Sequence, residues 1–194
     1  MADDASFTVY FAAGTEIATE SGVTLVEELK IGDMVRTFDG RDVAVKWIGR
    51  QTVSTKFGPA ERLTPVKFSA GALGENLPTK DLIVTADHAL LIGDTLCAAD
   101  ALVNGTTIAR THDLGETFTV YHVETEEHEV ILANGVAAET FIDNVARTAF
   151  DNFAEFDVLY GDVAEMKELD YPRAMTARQV PAAIKAALAV EKVA

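Results

Sequence analysis

The sequence predicts a mostly-β domain of short strands followed by a helical C-terminal extension. Glycines and turn-forming pairs recur at roughly ten-residue intervals through the first third of the chain, a spacing typical of small all-β folds. The segments between these turns are short and rich in β-branched and aromatic residues, as in Val43-Ala44-Val45-Lys46-Trp47-Ile48. After about residue 145 glycine almost vanishes, and the stretch 180–189 is alanine-rich with helical spacing.

The composition bounds the class of protein. With 194 residues, 48% of them apolar, the chain is long enough for one domain with a real core. Its 31 acidic against 16 basic residues give a formal charge of −15. That charge repels nucleic acid and anionic lipid, so neither is an expected partner. No apolar run approaches the roughly 18 residues that a membrane span needs, and the N-terminus does not resemble a classical signal peptide. We expect a soluble protein without membrane insertion, either cytoplasmic or secreted by another route.

The predicted elements can be placed in chain order from their turn signals. The first predicted strands are 7–11, 16–19, 34–38, 43–48 and 51–55, with one helical turn at 26–29. After a glycine- and proline-rich loop at 70–78, further strands are predicted at 81–85, 89–92 and 117–124. A closing hairpin joins 129–132 to 136–141 through Asn134-Gly135, because Asn-Gly is the strongest short hairpin signal.

The cysteine and histidine inventory restricts the possible chemistry. Cys97 is the single cysteine, which excludes an internal disulfide and a cysteine-based zinc site. Its apolar neighbours predict a small buried hydrophobe. His122 and His128 lie six residues apart without a third histidine beside them, which is not a metal signature. His112 lies in a polar loop and is expected to be solvated. We therefore expect no metal and no cofactor.

Two segments carry the strongest functional signal: 10–19, which opens Tyr10-Phe11-Ala12-Ala13-Gly14-Thr15, and Thr85-Ala86-Asp87-His88 after the apolar run 82–84. They resemble the opening block and the Thr-x-x-His block of the Hint (Hedgehog/intein) fold. The segments 120–135 and 139–141 are similar to later blocks of that family, and the tail 171–181 resembles a bacterial branch of it. The resemblance implies a pseudo-symmetric fold of intertwined strands whose start and closing strand meet at one site. It also implies self-processing of the backbone.

The resemblance further implies a role for each candidate site residue. In the family, a nucleophile at the first position, usually Cys, attacks the carbonyl carbon of the residue before it; Tyr10 stands at that position. His88 is implied as the general acid that activates the amide, and Thr85 as its supporting donor. His122 lies where a polar residue faces the reaction centre, and His128 precedes the closing strand. Two of the histidines also have a named structural alternative: His88 as a structurally satisfied histidine at a strand end, and His128 as a surface position on an edge strand.

Two departures from the family pattern change the expected activity. A phenol has a pKa near 10, is a weak nucleophile toward an amide, and has a rigid ring that cannot form the five-membered intermediate of a Cys or Ser, so Tyr10 should block the acyl shift. Glu139-Thr140 stands where splicing members carry His-Asn, so no asparagine side chain is available there to cyclise, and splicing is not expected. The expected partner is the chain's own upstream peptide, with water or a small nucleophile as acyl acceptor.

The predicted organisation is a leader at 1–9, a Hint-type β domain at 10–144 and a mostly helical extension at 145–194. Two other functions stay open. The domain could be a catalytically retired binding or interaction module, with the extension carrying the contact. It could also be a conventional hydrolase using Cys97 and a nearby histidine, although no Ser-His-Asp or Cys-His set has a recognisable context. A retained processing site predicts that Thr85, His88 and His122 converge on the backbone at Tyr10.

Overall fold

The computed structural model describes residues 9–54, 64–142 and 147–190. Within these ranges the strands are β1 (Phe11–Ala12), β2 (Glu16–Thr19), β3 (Gly22–Leu25), β4 (Met34–Arg36), β5 (Asp42–Ser54), β6 (Val66–Phe68), β7 (Leu82–Val84), β8 (Ala89–Ile92), β9 (Thr95–Ala98), β10 (Ile108–Arg110), β11 (Thr117–Thr125), β12 (Val130–Ala133), β13 (Val136–Glu139) and β14 (Arg173–Ala174). The α-helices are α1 (Phe153–Tyr160) and α2 (Ala182–Leu188), and short 3-10 turns occupy Val26–Glu28, Ala99–Leu102 and Arg147–Ala149. The mostly-β fold class predicted from the turn spacing is confirmed.

Strand β5 connects the two halves of the sheet. It is thirteen residues long and pairs antiparallel with β11 along most of its length and with β4 near its start. The sequence predicted two strands here, divided near Gly49, and that division is wrong. Gly49 continues the strand, and its missing side chain makes room for a ring: a Cβ there would lie 2.5 Å from the ring of Phe150.

Strand β1 lies between two strands that are distant in sequence. Phe11 pairs with Val84 of β7 on one side and with Tyr121 of β11 on the other, both antiparallel. Extending both registers by one residue brings Tyr10 beside the residues after Val84 and after Tyr121. The order of strands therefore brings the start of the domain against Thr85 and His122.

The predicted Asn-Gly hairpin between β12 and β13 is confirmed. Asn134 and Gly135 have φ angles of 46° and 80°, the left-handed values that a two-residue hairpin turn requires. The Asn134 side chain also accepts a hydrogen bond of 2.8 Å from the amide of Glu16, so the turn is tied to β2. A Cβ at position 135 would lie 2.8 Å from the Leu77 side chain. Glycine is therefore favoured at this position by the lack of space as well as by its positive φ angle.

The core has a main aliphatic part and a separate aromatic part. The main part fills the inner faces of the strands with buried residues such as Ile17, Val35 and Leu90. The aromatic cluster consists of Tyr10, Trp47, Phe141, Phe150 and Phe156, packed with Val53 and Val120. Two of its rings, Phe150 and Phe156, come from the C-terminal extension.

The C-terminal extension packs onto the β domain as an integral layer. Strand β14 adds to the sheet parallel to β9, and Leu188 of α2 lies in the main core. The two predicted features, an alanine-rich helix and Pro181 at its start, are present. The prediction that the extension is mostly helical is wrong: helices take a minor share of its described residues, and much of 161–181 is irregular backbone. The division into leader, domain and extension stays a prediction.

Several strands escaped the sequence prediction: β3, β6, β9, β10 and β14. Strand β9 is buried on both faces, so it shows no alternation of apolar and polar residues. The predicted strand 7–11 falls partly on residues outside the described ranges. Among the described residues, no helix has the length and apolar character needed to cross a membrane.

Candidate functional site

The peptide bond between Val9 and Tyr10 is held from both sides by buried polar side chains. Thr85 Oγ1 accepts a hydrogen bond of 3.1 Å from the Tyr10 amide. His122 Nδ1 lies 2.6 Å from the Val9 carbonyl oxygen. His88 Nδ1 lies 3.0 Å from the carbonyl oxygen of Tyr10, one peptide further along. We call Thr85, His88 and His122 the polar cradle.

A short turn after β7 places two members of the cradle. The amide of Thr85 donates to the Tyr10 carbonyl at 3.1 Å, which continues the β1–β7 ladder by one residue. The amide of His88 then donates to the Thr85 carbonyl at 3.1 Å. This tight turn brings both side chains back toward β1, as the Thr-x-x-His spacing predicts.

His122 is a neutral donor to the Val9 carbonyl. Burial lowers its pKa to about 3, and this effect outweighs the hydrogen bond to Val9, which favours the charged form. A carbonyl oxygen only accepts, so the single proton of the neutral ring belongs on Nδ1. The ring stands edge-on to Phe141, with centroids 4.1 Å apart. Its Nε2 is buried and has no hydrogen-bond partner among the described residues.

His88 sits between two carbonyl oxygens. Its Nδ1 faces Tyr10 and its Nε2 lies 3.1 Å from the carbonyl oxygen of Glu139. Burial lowers the pKa of His88, and the negative charge of Glu139 opposes this shift without overcoming it. A neutral imidazole carries one N–H and can satisfy only one of the two oxygens. A second proton on this ring would therefore find a hydrogen-bond acceptor already in place.

Glu139 and Arg173 lie at the site and were not among the predicted site residues. Glu139 Oε1 accepts from the Ala89 amide at 3.0 Å, and Oε2 accepts from the Arg173 guanidinium at 2.8 Å. Burial alone would raise the pKa of Glu139, but the imidazole of His128 and the charge of Arg173 lower it to about 2. The sequence did contain a signal for this pair: Glu139 is the one charged residue in the stretch 136–141, and a buried carboxylate needs a cationic partner.

His128 contacts Glu139. Its Nε2 lies 3.2 Å from Glu139 Oε2, an ion-pair distance at an angle outside hydrogen-bond geometry. Its Nδ1 accepts from the Leu169 amide at 3.4 Å. His128 is buried, so the alternative that placed it on the surface of an edge strand is wrong. His112 is exposed, as the sequence predicted.

The Tyr10 side chain points into the aromatic cluster. Its ring stands edge-on to Phe150 and to His122, with centroid distances of 5.6 and 5.7 Å. Burial, followed by the charge of Asp151, raises the pKa of the phenol. The phenol oxygen sits at the far end of a rigid ring, so it cannot bend back onto the carbonyl carbon of Val9. The backbone of Tyr10 is thus hydrogen-bonded by the cradle, whereas its side chain packs in the aromatic cluster.

Cys97 is a buried member of β9, as expected. Its side chain lies in the main core, and burial raises the pKa of its thiol to about 11. The thiolate is the reactive form of cysteine. A thiol with this pKa is not a nucleophile near neutral pH, which removes the support for a hydrolase built on Cys97.

A cleft of about 190 Å³ opens beside the held peptide bond. It is lined by Val9, Asp87, Glu139, Ile142, Glu168, Arg173 and Met175. Because Val9 lines this cleft, a small molecule entering it approaches the residue whose carbonyl His122 holds.

The fold and the site together identify the family. Residues 9–145 match the family described as "Hint domain". Because this match spans more than half of the chain, the chain belongs to the Hint-domain family, and its fold is the Hint/intein fold predicted above. No curated protein matches the chain.

Solved structures with this fold include inteins. A DnaB intein from Synechocystis sp. PCC 6803 aligns at 12% identity with a TM-score of 0.50, covering 70% of this chain and 100% of the intein. The Ssp DnaB mini-intein variant M86 aligns at 12% identity with a TM-score of 0.50, covering 70% of this chain and 97% of its own. A bacterial intein-like domain from Clostridium thermocellum aligns at 14% identity with a TM-score of 0.44, covering 69% of this chain and 99% of its own. At these identities the likeness concerns the fold alone.

Proposed function

We propose that this chain is an autoprocessing Hint domain whose site addresses the Val9–Tyr10 peptide bond and that Tyr10 disarms it. The activity is a single-turnover N-terminal acyl shift followed by cleavage, without splicing. One observation carries the proposal: Thr85 and His122 hold the two ends of the same peptide unit, at 3.1 and 2.6 Å. These two contacts address the N–H and the C=O of the one peptide bond that the acyl shift would break.

The chemistry follows from the position of each group once residue 10 carries a thiol. The sulfur attacks the carbonyl carbon of Val9 and gives up its proton to the neutral imidazole of His88, while the negative charge that develops on the Val9 oxygen is stabilised by the N–H of His122. The C–N bond breaks, and the nitrogen of residue 10 leaves as an amine after taking up a proton. Thr85 holds this nitrogen throughout, and His88 is proposed as the proton source. Water, or a small nucleophile, then attacks the thioester and regenerates the thiol.

The substrate in this proposal is the chain's own upstream segment, the part that ends at Val9. Solved relatives of the fold are inteins by name, which supports a reaction within one polypeptide. Glu139-Thr140 offers no asparagine side chain for the cyclisation that completes splicing. The proposed product is therefore a cleaved segment with Val9 as its C-terminal carboxylate.

A retired interaction module is the second candidate, and the burial of Tyr10 favours it. The Tyr10 side chain is only 2% exposed and is a full member of the aromatic cluster. In this alternative the ring is selected for packing, and the cradle persists only as a set of buried hydrogen bonds. Restoring a nucleophile separates the two candidates, because a retired cradle need not support catalysis.

The experiment compares Tyr10→Cys with Tyr10→Ala by intact-mass spectrometry, with and without an added thiol. Both variants lose the ring and about 3–5 kcal/mol of stability, so the alanine variant controls for the cavity. We expect the cysteine variant to release everything before residue 10, faster with thiol, while the alanine variant stays intact. An intact cysteine variant that is folded by circular dichroism would overturn the processing proposal and favour the module.

A further inference from the structure

The buried carboxylate of Glu139 lies where the closing strand, the His88 segment and the C-terminal extension meet. Its own strand, β13, pairs with β8 through Ala138 and Leu90. Strand β8 begins at Ala89, directly after His88. The third element is β14 of the extension, which contributes Arg173. Three segments far apart in sequence therefore share one ionised side chain that is 1% exposed.

Glu139 contacts the His88 segment twice. Its carbonyl oxygen faces Nε2 of the imidazole at 3.1 Å. Its side-chain oxygen Oε1 accepts from the next amide, that of Ala89, at 3.0 Å. One contact fixes the end of the ring that is remote from Tyr10, and the other fixes the backbone on which the ring is mounted. Together they set the direction in which Nδ1 points.

Arg173 holds the carboxylate in the orientation that makes these contacts. Its guanidinium donates to Glu139 Oε2 at 2.8 Å, opposite the oxygen used by Ala89. A buried carboxylate without a cation would be strongly destabilised and would have to rotate toward solvent or take up a proton. Arg173 is itself held by the parallel pairing of β14 with β9. The family match ends at residue 145, so Arg173 lies outside it.

We propose that Glu139 and Arg173 are positioning residues for His88, and that the C-terminal extension is thereby part of the processing site. The proposal rests on the proposed function for its catalytic meaning, since His88 is the proton donor there. Its structural part does not depend on catalysis: without the Arg173–Glu139 pair, the His88 ring loses its fixed orientation toward the backbone of Tyr10.

The first test uses the chain with Tyr10 in place and does not depend on cleavage. The hydrogen-bonded ring proton of His88 is observed by NMR with ¹⁵N-labelled histidine, assigned by its loss in His88→Gln. We expect Arg173→Met to broaden or abolish this signal and Arg173→Lys to restore it in part, because lysine returns one charged donor. The matched control is Arg41→Met, which removes another arginine–glutamate pair (Arg41–Glu129, 2.6 Å) whose side chains make no hydrogen bond or ion pair with His88 or Glu139 among the described residues. It should leave the signal unchanged.

The second test measures cleavage in the Tyr10→Cys chain. We expect Arg173→Met and Glu139→Gln to slow release of the upstream segment about 10- to 100-fold, the scale expected when a remote change displaces a reacting group. Arg173→Lys should recover part of the rate and Arg41→Met should retain it. If Arg173→Met fails to fold, Glu139→Gln and Arg173→Lys decide both tests.

The outcomes separate the two proposals. If Tyr10→Cys does not cleave, the processing function fails, while the NMR signal still decides whether Arg173 positions His88. If Tyr10→Cys cleaves and Arg173→Met matches Arg41→Met in both rate and ring-proton signal, the positioning proposal is overturned and the processing function stands.

Discussion

The backbone and the side chain of Tyr10 lie in two regions with opposite physical character. The backbone lies in the polar cradle, where Thr85, His88 and His122 satisfy its amide and the carbonyl groups around it. The side chain lies in the aromatic cluster, against Phe150 of the extension. The hydrogen bonds of the cradle depend on strand register and go to main-chain atoms, so they do not require a particular side chain at residue 10. The cluster depends on the size and shape of that residue.

This difference bears on the proposal that a site for backbone chemistry persists here without its nucleophile. The groups that hold the Val9–Tyr10 peptide bind main-chain atoms, which every residue provides. Under the proposed function, a change at position 10 therefore removes reactivity while leaving the hydrogen bonds in place. Substitutions that affect only one of the two regions can separate their contributions.

The largest expected effect comes from breaking the aromatic cluster alone. Phe150→Ala removes a ring that is 4% exposed and should lower the free energy of unfolding by about 3–5 kcal/mol. The His122 ring proton should persist in NMR spectra of the folded variant, because its hydrogen bond goes to the Val9 carbonyl, although the Phe150 ring packs 5.0 Å from the imidazole, centroid to centroid. Phe38→Ala is the control, since Phe38 is 54% exposed and should change stability by less than about 0.5 kcal/mol. Equal losses at the two positions would contradict the packing role of Phe150.

A smaller effect is expected from breaking the cradle alone. Thr85→Val keeps the shape of the side chain but removes the acceptor of the Tyr10 amide, so a buried N–H loses its partner. This should cost about 1–3 kcal/mol in urea unfolding. Thr85→Ser keeps the hydroxyl and should recover most of that loss. In the Tyr10→Cys chain, the valine variant should also cleave more slowly than the serine variant. Equal stability of the valine and serine variants would refute the hydrogen bond.

The smallest effect is a pH dependence carried by His122. Its folded pKa of about 3 lies below the unfolded value, so between these values the unfolded chain binds a proton that the folded chain does not. Its contribution to stability is therefore full above about pH 6.5 and is lost as the pH falls. From about pH 7.5 to about pH 5.5 this group should cost about 1.4 kcal/mol.

The measurement is the difference between the native chain and His122→Phe in denaturant unfolding at both pH values. The ring shape is retained in phenylalanine, and any effect that does not depend on pH cancels in the comparison. The native chain should lose more stability on acidification than the variant by the amount given above. Parallel pH profiles would mean that the pKa of His122 is the same in the folded and unfolded states, so that burial does not lower it.

Local signals made much of the fold predictable. The Asn134-Gly135 turn, the strands 16–19 and 89–92 and the turn at 26–28 follow from short-range backbone preferences. The wrongly predicted strand break at Gly49 has a long-range cause. The space left by the absent side chain of Gly49 is filled by the ring of Phe150, about a hundred positions away. Strand β14 is two residues long and forms only because β9 offers an edge.

The candidate site was predictable in its residue types but not in its contacts. Thr85, His88, His122 and His128 were all identified from the sequence, and the first three do meet at the backbone of Val9 and Tyr10. The Glu139–Arg173 pair was not predicted, because its two residues belong to segments whose proximity depends on sheet order. The roles assigned to these residues stay proposals until the variants are measured.

The sequence by itself determined that this is a β domain of the Hint class, and it led to the proposal that Tyr10 does not attack the bond before it. Turn chemistry, side-chain periodicity and the intrinsic reactivity of a phenol are properties of short segments and single residues. Only the tertiary structure decided that Thr85 holds the amide, that His122 holds the carbonyl, and that the C-terminal extension reaches Glu139 through Arg173. Those contacts depend on register and on distances of a few tenths of an ångström, which follow from the packing of the whole chain.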